Sequence, residues 1–220
     1  MDTNPFWEHI QRLVEQGSVE YDKETHTLSP VPGQGDELRR CLIHYSRVIA
    51  DPAVVEYISA MAGKQVVEME ADGGYWSYLL SIKGATCEAF DTRRRWLFRN
   101  DWYPVGRIHP QFNALGGLYY ATLLIVHTDP PKFERVARAL SQFSGPRAIL
   151  VLPKTFTPPQ RLAGALENWN ETSRFDGGVC LASNPVVVRT YDRKRVETWN
   201  QPTRPLSIRR TESWPTILPK

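Results

Sequence analysis

The stretch that decides the fold is QVVEMEADGGYWSYLLSIKGATCEAFD, residues 65–91. It begins with a compact β-rich run, passes through a turn that contains Gly73 and Gly74, and continues as an apolar helical segment. A second strand follows and ends on Asp91, 23 residues after Glu68. In open α/β sheets such a turn lets the backbone approach a ligand, and an acid at the end of the next strand can accept hydrogen bonds from both hydroxyls of a ribose.

Outward from this stretch, strands and helices alternate. The pattern predicts helices over residues 5–16, 36–48, 132–143 and 158–169, and another that Asp51 and Pro52 open as N-cap and first residue. Buried strands are predicted at TLLIVHT and RAILVLP, GVCLAS and VVVRTYDR are predicted to form a closing pair, and residues 17–36 read as a loop with a short hairpin. This alternation predicts an α/β fold with a mainly parallel sheet.

Composition narrows the class of protein. The chain has 220 residues, 41% hydrophobic and 23% charged, which is typical of a globular protein and excludes a disordered chain or a coiled coil. Three scattered cysteines favour neither a disulfide framework nor a zinc site, and no metal is expected. No apolar run is long enough for a membrane span and no secretory signal is visible, so we expect an intracellular, cytoplasmic protein that does not enter membranes.

One family resemblance rests on HYSRVIADPAVVEYISAMAGKQVVEMEADGGYWSYLLSIKGATCEAFD. This stretch resembles class I S-adenosylmethionine (SAM)-dependent methyltransferase-like proteins, most closely a group with the motif V-E-I-G-A-G-x-G-Y-W and a strand that ends in Y-D. The similarity continues through LLIVHTDPP, FSGPRAILVLP and LENW, and so covers residues 42–195. It implies a Rossmann-like seven-strand domain and an adenosyl pocket for SAM, with Glu68 near the methionine end and Asp91 at the ribose. We therefore expect residues 1–41 to be a helical and loop extension, residues 42–199 the methyltransferase-like α/β domain and residues 200–220 an extended tail.

The glycine motif departs from the family pattern. The first glycine falls on Glu70 and the second on Asp72, while Gly74, preceded by Gly73, keeps the third. Glycine serves there because the backbone turns tightly and nearly touches the cofactor. A carboxylate at Asp72 would face that of the methionine moiety, at a cost of about 1–4 kcal/mol. The alternative is a purely structural turn whose acids cap the following helix, with Asp91 as a solvated strand end.

Two further candidates lie on the acceptor side. Asp129-Pro130-Pro131 follows a buried strand, as in methyltransferases that act on amino groups, but Lys132 replaces the expected aromatic residue. An acid and a proline carbonyl there accept hydrogen bonds from the target amine, although the prolines could equally break the strand. His127 is a candidate general base, or a histidine satisfied by backbone partners.

Basic residues indicate where a partner would bind. Arg93-Arg94-Arg95 precede Trp96 and could hold phosphates or RNA, or form a solvated loop. The Pro-rich tail, residues 200–220, carries the whole net charge of +3 and could order on a protein or RNA partner.

Two functional hypotheses follow from these patterns. The first is a working SAM-dependent methyltransferase for a small-molecule or amine acceptor, with Glu68, Glu70, Asp72, Gly73, Gly74 and Asp91 at the cofactor and His127 and Asp129 at the acceptor. The second is a pseudoenzyme that keeps the fold and serves as a structural or binding subunit of a larger assembly.

Overall fold

The computed structural model describes residues 3–24, 27–46, 48–91, 102–107, 120–126, 133–178, 180–181 and 186–194. Helices in these ranges are α1 Pro5–Glu15, α2 Gly35–His44, α3 Pro52–Ala62, α4 Tyr75–Ile82, α5 Phe133–Gln142 and α6 Gln160–Leu166. Strands are β1 Val19–Asp22, β2 Thr27–Pro30, β3 Gln65–Met69, β4 Thr86–Asp91, β5 Val105–Arg107, β6 Thr122–Val126, β7 Arg147–Pro153, β8 Trp169–Gly178, β9 Cys180–Leu181 and β10 Val186–Arg193.

The main sheet has seven strands in the order β5-β4-β3-β6-β7-β10-β8. The pairs from β5 to β7 are parallel, and β10 runs antiparallel to both of its neighbours. Apolar layers cover the two faces, one built with α3 and α4 and the other with α5 and α6. This mainly parallel, seven-strand, Rossmann-like sheet is the fold that the sequence predicts.

The ends of the predicted helices move by a few residues, and the N-cap at Asp51 is confirmed, because its Oδ1 accepts a hydrogen bond of 2.7 Å from the Ala53 amide. The predicted closing pair of strands is wrong. β10 pairs with β7 and with the edge strand β8, whereas β9 lies in a separate small sheet with the hairpin β1–β2. β8 is an edge strand in which Glu171, Arg174 and Asp176 are polar, so no apolar alternation marks it in the sequence.

The N-terminal helix packs against the start of α4. Asn4 caps α1 through the Trp7 amide at 3.1 Å, and its Oδ1 also accepts a hydrogen bond of 2.7 Å from the Tyr75 hydroxyl. The Phe6 amide donates to the same hydroxyl at 2.9 Å, so Tyr75, the first residue of α4, fixes α1 against α4.

In the part of the chain that the structure describes, none of the helices combines the length and apolar character that crossing a bilayer requires.

Candidate functional site

The strand order places a crevice beyond the end of β3. From β3 the chain builds the sheet first toward β4 and β5 and later, on the other side, through β6 and β7. The helices after β3 and β6, which are α4 and α5, pack in separate apolar layers on the two faces of the sheet, and ligands of open α/β sheets bind where successive connections diverge in this way. The candidate residues Glu68, Glu70, Asp72, Gly73, Gly74 and Asp91 all lie at this end of the sheet.

Glu68 points from β3 into the layer under α4. Its Oε2 accepts hydrogen bonds from the Ser77 amide at 2.9 Å and the Ser77 hydroxyl at 2.6 Å. The N-cap of α4 is Gly74, which has no side chain to offer, so Glu68 supplies the acceptor for the first turn. The pKa of Glu68 is raised to about 8, chiefly by burial and also by the nearby carboxylates of Asp72 and Asp91, although the two hydrogen bonds from Ser77 lower it.

Glu70 occupies the position of the expected first glycine and takes a glycine-like conformation. Its φ is +60°, a left-handed value that costs an L-residue about 1–2 kcal/mol. The side chain is 3% exposed and forms an ion pair with Arg135 of α5, in which Nη2 donates a hydrogen bond of 2.9 Å to Oε2 and Nε lies 2.7 Å from Oε1. Because α5 is the helix that follows β6, this ion pair joins the turn after β3 to the helix after β6.

Asp72 and Asp91 meet across the turn. Asp72 has a φ of +50°, and its amide donates a hydrogen bond of 3.0 Å to Asp91 Oδ2. One residue earlier, the Ala71 amide donates to the Phe90 carbonyl at 3.1 Å and so continues the pairing of β3 with β4. Asp91 is 5% exposed. The acid that ends β4 thus holds the backbone of the turn through one of its oxygens.

The two glycines of the turn face the segment before β5. The Trp102 amide donates to the Gly73 carbonyl at 2.9 Å. Gly74 has a φ of +73°, and a Cβ there would lie 2.9 Å from Tyr103 Cβ and 3.0 Å from Val105 Cγ2. Protein atoms, rather than open space, therefore lie where a side chain of residue 74 would project.

Several predicted residues fall outside the described ranges. These are His127, Asp129, Arg93-Arg94-Arg95 and the tail from residue 200 onward. Among the described residues, no three histidine, cysteine, aspartate or glutamate side chains are grouped so that they could hold a metal ion.

Ser77 and Arg135 contact the acids of this site but were not predicted from the sequence, and Trp102 was predicted only to line a pocket or cover the sheet edge. Ser77 carried a signal that could have been used, since it is the third residue of a helix whose N-cap is glycine. Trp102 and Arg135 are far from the turn in sequence, and only the pairing of β5 with β4 and the position of α5 bring them to it.

Comparison with known proteins gives structural similarity at low identity. Magnesium protoporphyrin IX methyltransferase from Synechocystis with bound SAM is 13% identical, with a TM-score of 0.48, over 74% of this chain and 85% of that one. A TehB-like SAM-dependent methyltransferase from Corynebacterium glutamicum is 12% identical, with a TM-score of 0.46, over 64% and 86%. No protein-family model matches the sequence, and no curated protein is significantly similar.

The fold is that of class I methyltransferases. The strand order and the antiparallel β10 establish it, with the sequence resemblance at the turn after β3.

Proposed function

We propose that this methyltransferase-fold protein is a non-catalytic structural or binding subunit, in which the chain's own side chains fill the former cofactor crevice. The observation that carries the proposal is the ion pair of Glu70 with Arg135. It joins the two sides of the topological switch point, at the position where the motif of class I methyltransferase-like proteins has its first glycine. A charge-assisted hydrogen bond to a buried carboxylate is among the stronger polar contacts in proteins.

The residues at the turn do not fit SAM. The resemblance assigns Asp91 to the ribose, yet Asp91 Oδ2 already accepts the Asp72 amide and the residue is almost fully buried. The resemblance assigns Glu68 to the methionine end, yet Glu68 caps α4 from within the core. Both carboxylates that the resemblance assigns to the cofactor therefore accept hydrogen bonds from groups of the protein itself.

Electrostatics supports the same conclusion. Glu68, with its raised pKa, is neutral at pH 7, and Glu70 is paired with Arg135, so Asp72 is the acid of the turn that would face the cofactor. The methionine part of SAM brings a carboxylate of its own, which a carboxylate at Asp72 would repel by about 1–4 kcal/mol. A penalty at the upper end converts micromolar affinity into millimolar affinity.

A working methyltransferase is the second candidate, and the placement of Asp91 favours it. Asp91 ends β4 beside the turn, where a ribose-binding acid belongs, and Gly74 keeps the close packing expected of the third glycine. In this alternative the chain positions SAM for transfer to a small-molecule or amine acceptor, with His127 and Asp129 on the acceptor side.

Calorimetric titration with SAM and S-adenosylhomocysteine (SAH) separates the two candidates. Under our proposal the wild-type protein gives no binding heat at millimolar ligand, and the double variant Glu70→Gly with Asp72→Gly gains measurable affinity. Micromolar binding by the wild type that Asp91→Ala abolishes would establish the second candidate instead. Asp176→Ala, which changes an exposed acid on β8, is the matched control.

A further inference from the structure

A pocket of about 600 Å³ opens between α1 and α2, and none of the described residues that line it belongs to the turn after β3. Pockets that hold small organic molecules range from about 300 to 1,000 Å³, so this one has the size of a ligand site. The described residues that line it are His9, Glu37, Arg40, Cys41, Ile43, His44 and Tyr45.

The floor of the pocket is rigid. Tyr45 is 7% exposed and stacks between Phe6, with ring centroids 4.8 Å apart, and Trp102, at 5.1 Å. The Trp102 indole also donates a hydrogen bond of 3.0 Å to the His44 carbonyl. These contacts fix the ring in place before any ligand arrives, which lowers the entropic cost of binding.

Two imidazoles and an aliphatic side chain are among the groups that line the walls. The imidazoles of His9 and His44 stand at 86° and 89° to the Tyr45 ring, with centroids 6.1 and 4.7 Å away. Among the described residues, Ile43 is the large hydrophobic side chain that is exposed to solvent, with 43% of its surface accessible. An exposed isoleucine beside aromatic rings provides an apolar contact that a planar ligand would cover.

The described part of the lining offers one cation to an anionic group. Arg40 supplies a guanidinium from the exposed side of α2, while Glu37, the one acid among the described lining residues, places its Oε1 3.8 Å from His9 Nε2. Cys41 adds no negative charge, because burial raises the pKa of its thiol to about 11. A guanidinium binds carboxylate or phosphate through two parallel N–H donors.

We propose that this pocket binds a small organic anion with a planar ring, the ring against Ile43 and the imidazoles and the anionic group on Arg40. The ring-plus-anion chemistry is shared by nucleotides and aromatic carboxylates, and both are tested below. The proposal does not depend on whether the turn after β3 binds SAM, because none of the described lining residues belongs to that turn.

The test is a calorimetric titration with adenosine 5′-monophosphate and, separately, 4-hydroxybenzoate. We expect at least one of them to bind, and adenosine or inorganic phosphate alone to bind at least about tenfold more weakly, since each lacks half of the recognised chemistry. Arg40→Gln should weaken binding about tenfold and Ile43→Ser about threefold to tenfold. Arg39→Gln is the matched control, because Arg39 is also exposed on α2 and does not line the pocket.

The outcomes separate this site from the crevice. Asp91→Ala should leave binding unchanged, whereas loss of binding in that variant would move the ligand to the turn and overturn the proposal. Equal affinities of Arg40→Gln and Arg39→Gln would also overturn it, as would the absence of binding by both anions at ten millimolar. Preference for the nucleotide or for the carboxylate would identify the source of the ligand.

Discussion

Trp102 contacts both the turn after β3 and the pocket between α1 and α2. The two regions differ in whether their polar side chains bond to the protein or face an open space. At the turn, Trp102 donates to the Gly73 carbonyl, and the carboxylates of Glu70 and Asp91 contact the protein itself. At the pocket, the same tryptophan stacks on Tyr45 and holds a rigid floor under an open space.

This difference indicates where the molecule keeps capacity to bind. A site whose side chains are buried and paired contributes to the stability of the fold. Removing one of these side chains leaves its partner buried and unpaired, which is energetically costly in a low-dielectric environment. A pocket with an exposed arginine and an exposed isoleucine contributes little to folding and retains surface for a ligand. We therefore expect substitutions at the turn to change stability and substitutions at the pocket to change binding.

The largest expected effect concerns Glu68 and is a dependence on pH. Because the pKa of Glu68 is about 8 in the folded protein and 4.5 in the unfolded chain, its protonated form contributes fully to the free energy of unfolding below pH 4.5. This contribution is lost as the pH rises from 4.5 through 8. Urea denaturation should show the free energy of unfolding of Glu68→Gln rising relative to wild type by about 4 kcal/mol between pH 5 and pH 9. Glu134→Gln, whose side chain is 67% exposed, should show no such change.

Loss of the crevice ion pair is expected to rank second. Arg135→Ala leaves the buried carboxylate of Glu70 without its cation and should destabilise the protein by about 2–4 kcal/mol in urea denaturation. Arg161→Ala breaks a pair with Glu134 on the surface and should cost less than about 1 kcal/mol. Equal losses for the two variants would mean that the crevice pair is no stronger than a surface contact.

The packing of the turn against Tyr103 is expected to have a smaller effect. Gly74→Ala must adopt a left-handed φ and also brings a Cβ within 2.9 Å of Tyr103 Cβ. Gly17→Ala, at the left-handed glycine that follows α1, meets a similar φ of +69° but nothing within 4 Å, so it measures the backbone cost without the contact. We expect Gly74→Ala to lower the free energy of unfolding by about 1–3 kcal/mol more than Gly17→Ala. Equal costs would show that the segment before β5 does not hold the turn.

The smallest expected effect lies at the pocket. Arg40→Gln should change the free energy of unfolding by less than about 0.5 kcal/mol, because the side chain is exposed. Thermal denaturation beside Arg39→Gln provides the measurement. A loss comparable to that of Arg135→Ala would place Arg40 among the structural residues and remove the contrast between the two regions.

Local pattern predicted most of the fold and only part of the site. The strands and helix of residues 65–91 are marked by their apolar runs and by the turn, and the parallel pairing of β3 with β4 then brings Asp91 beside Asp72. The partner of Glu70 could not be predicted, because Arg135 reaches it only through the packing of a helix that lies 65 residues further along the chain. The edge strand β8 was missed for a related reason, since its neighbour rather than its own sequence makes it a strand.

The most direct test of the central claim is hydrogen exchange at the turn, with and without millimolar SAH. The amides of Asp72 and Gly74 donate to Asp91 Oδ2 and to the Ala71 carbonyl. Our account predicts that both amides are protected in the free protein and that SAH leaves their exchange unchanged. Fast exchange in the free protein that SAH slows strongly would contradict it, because the turn would then be open and completed by the cofactor.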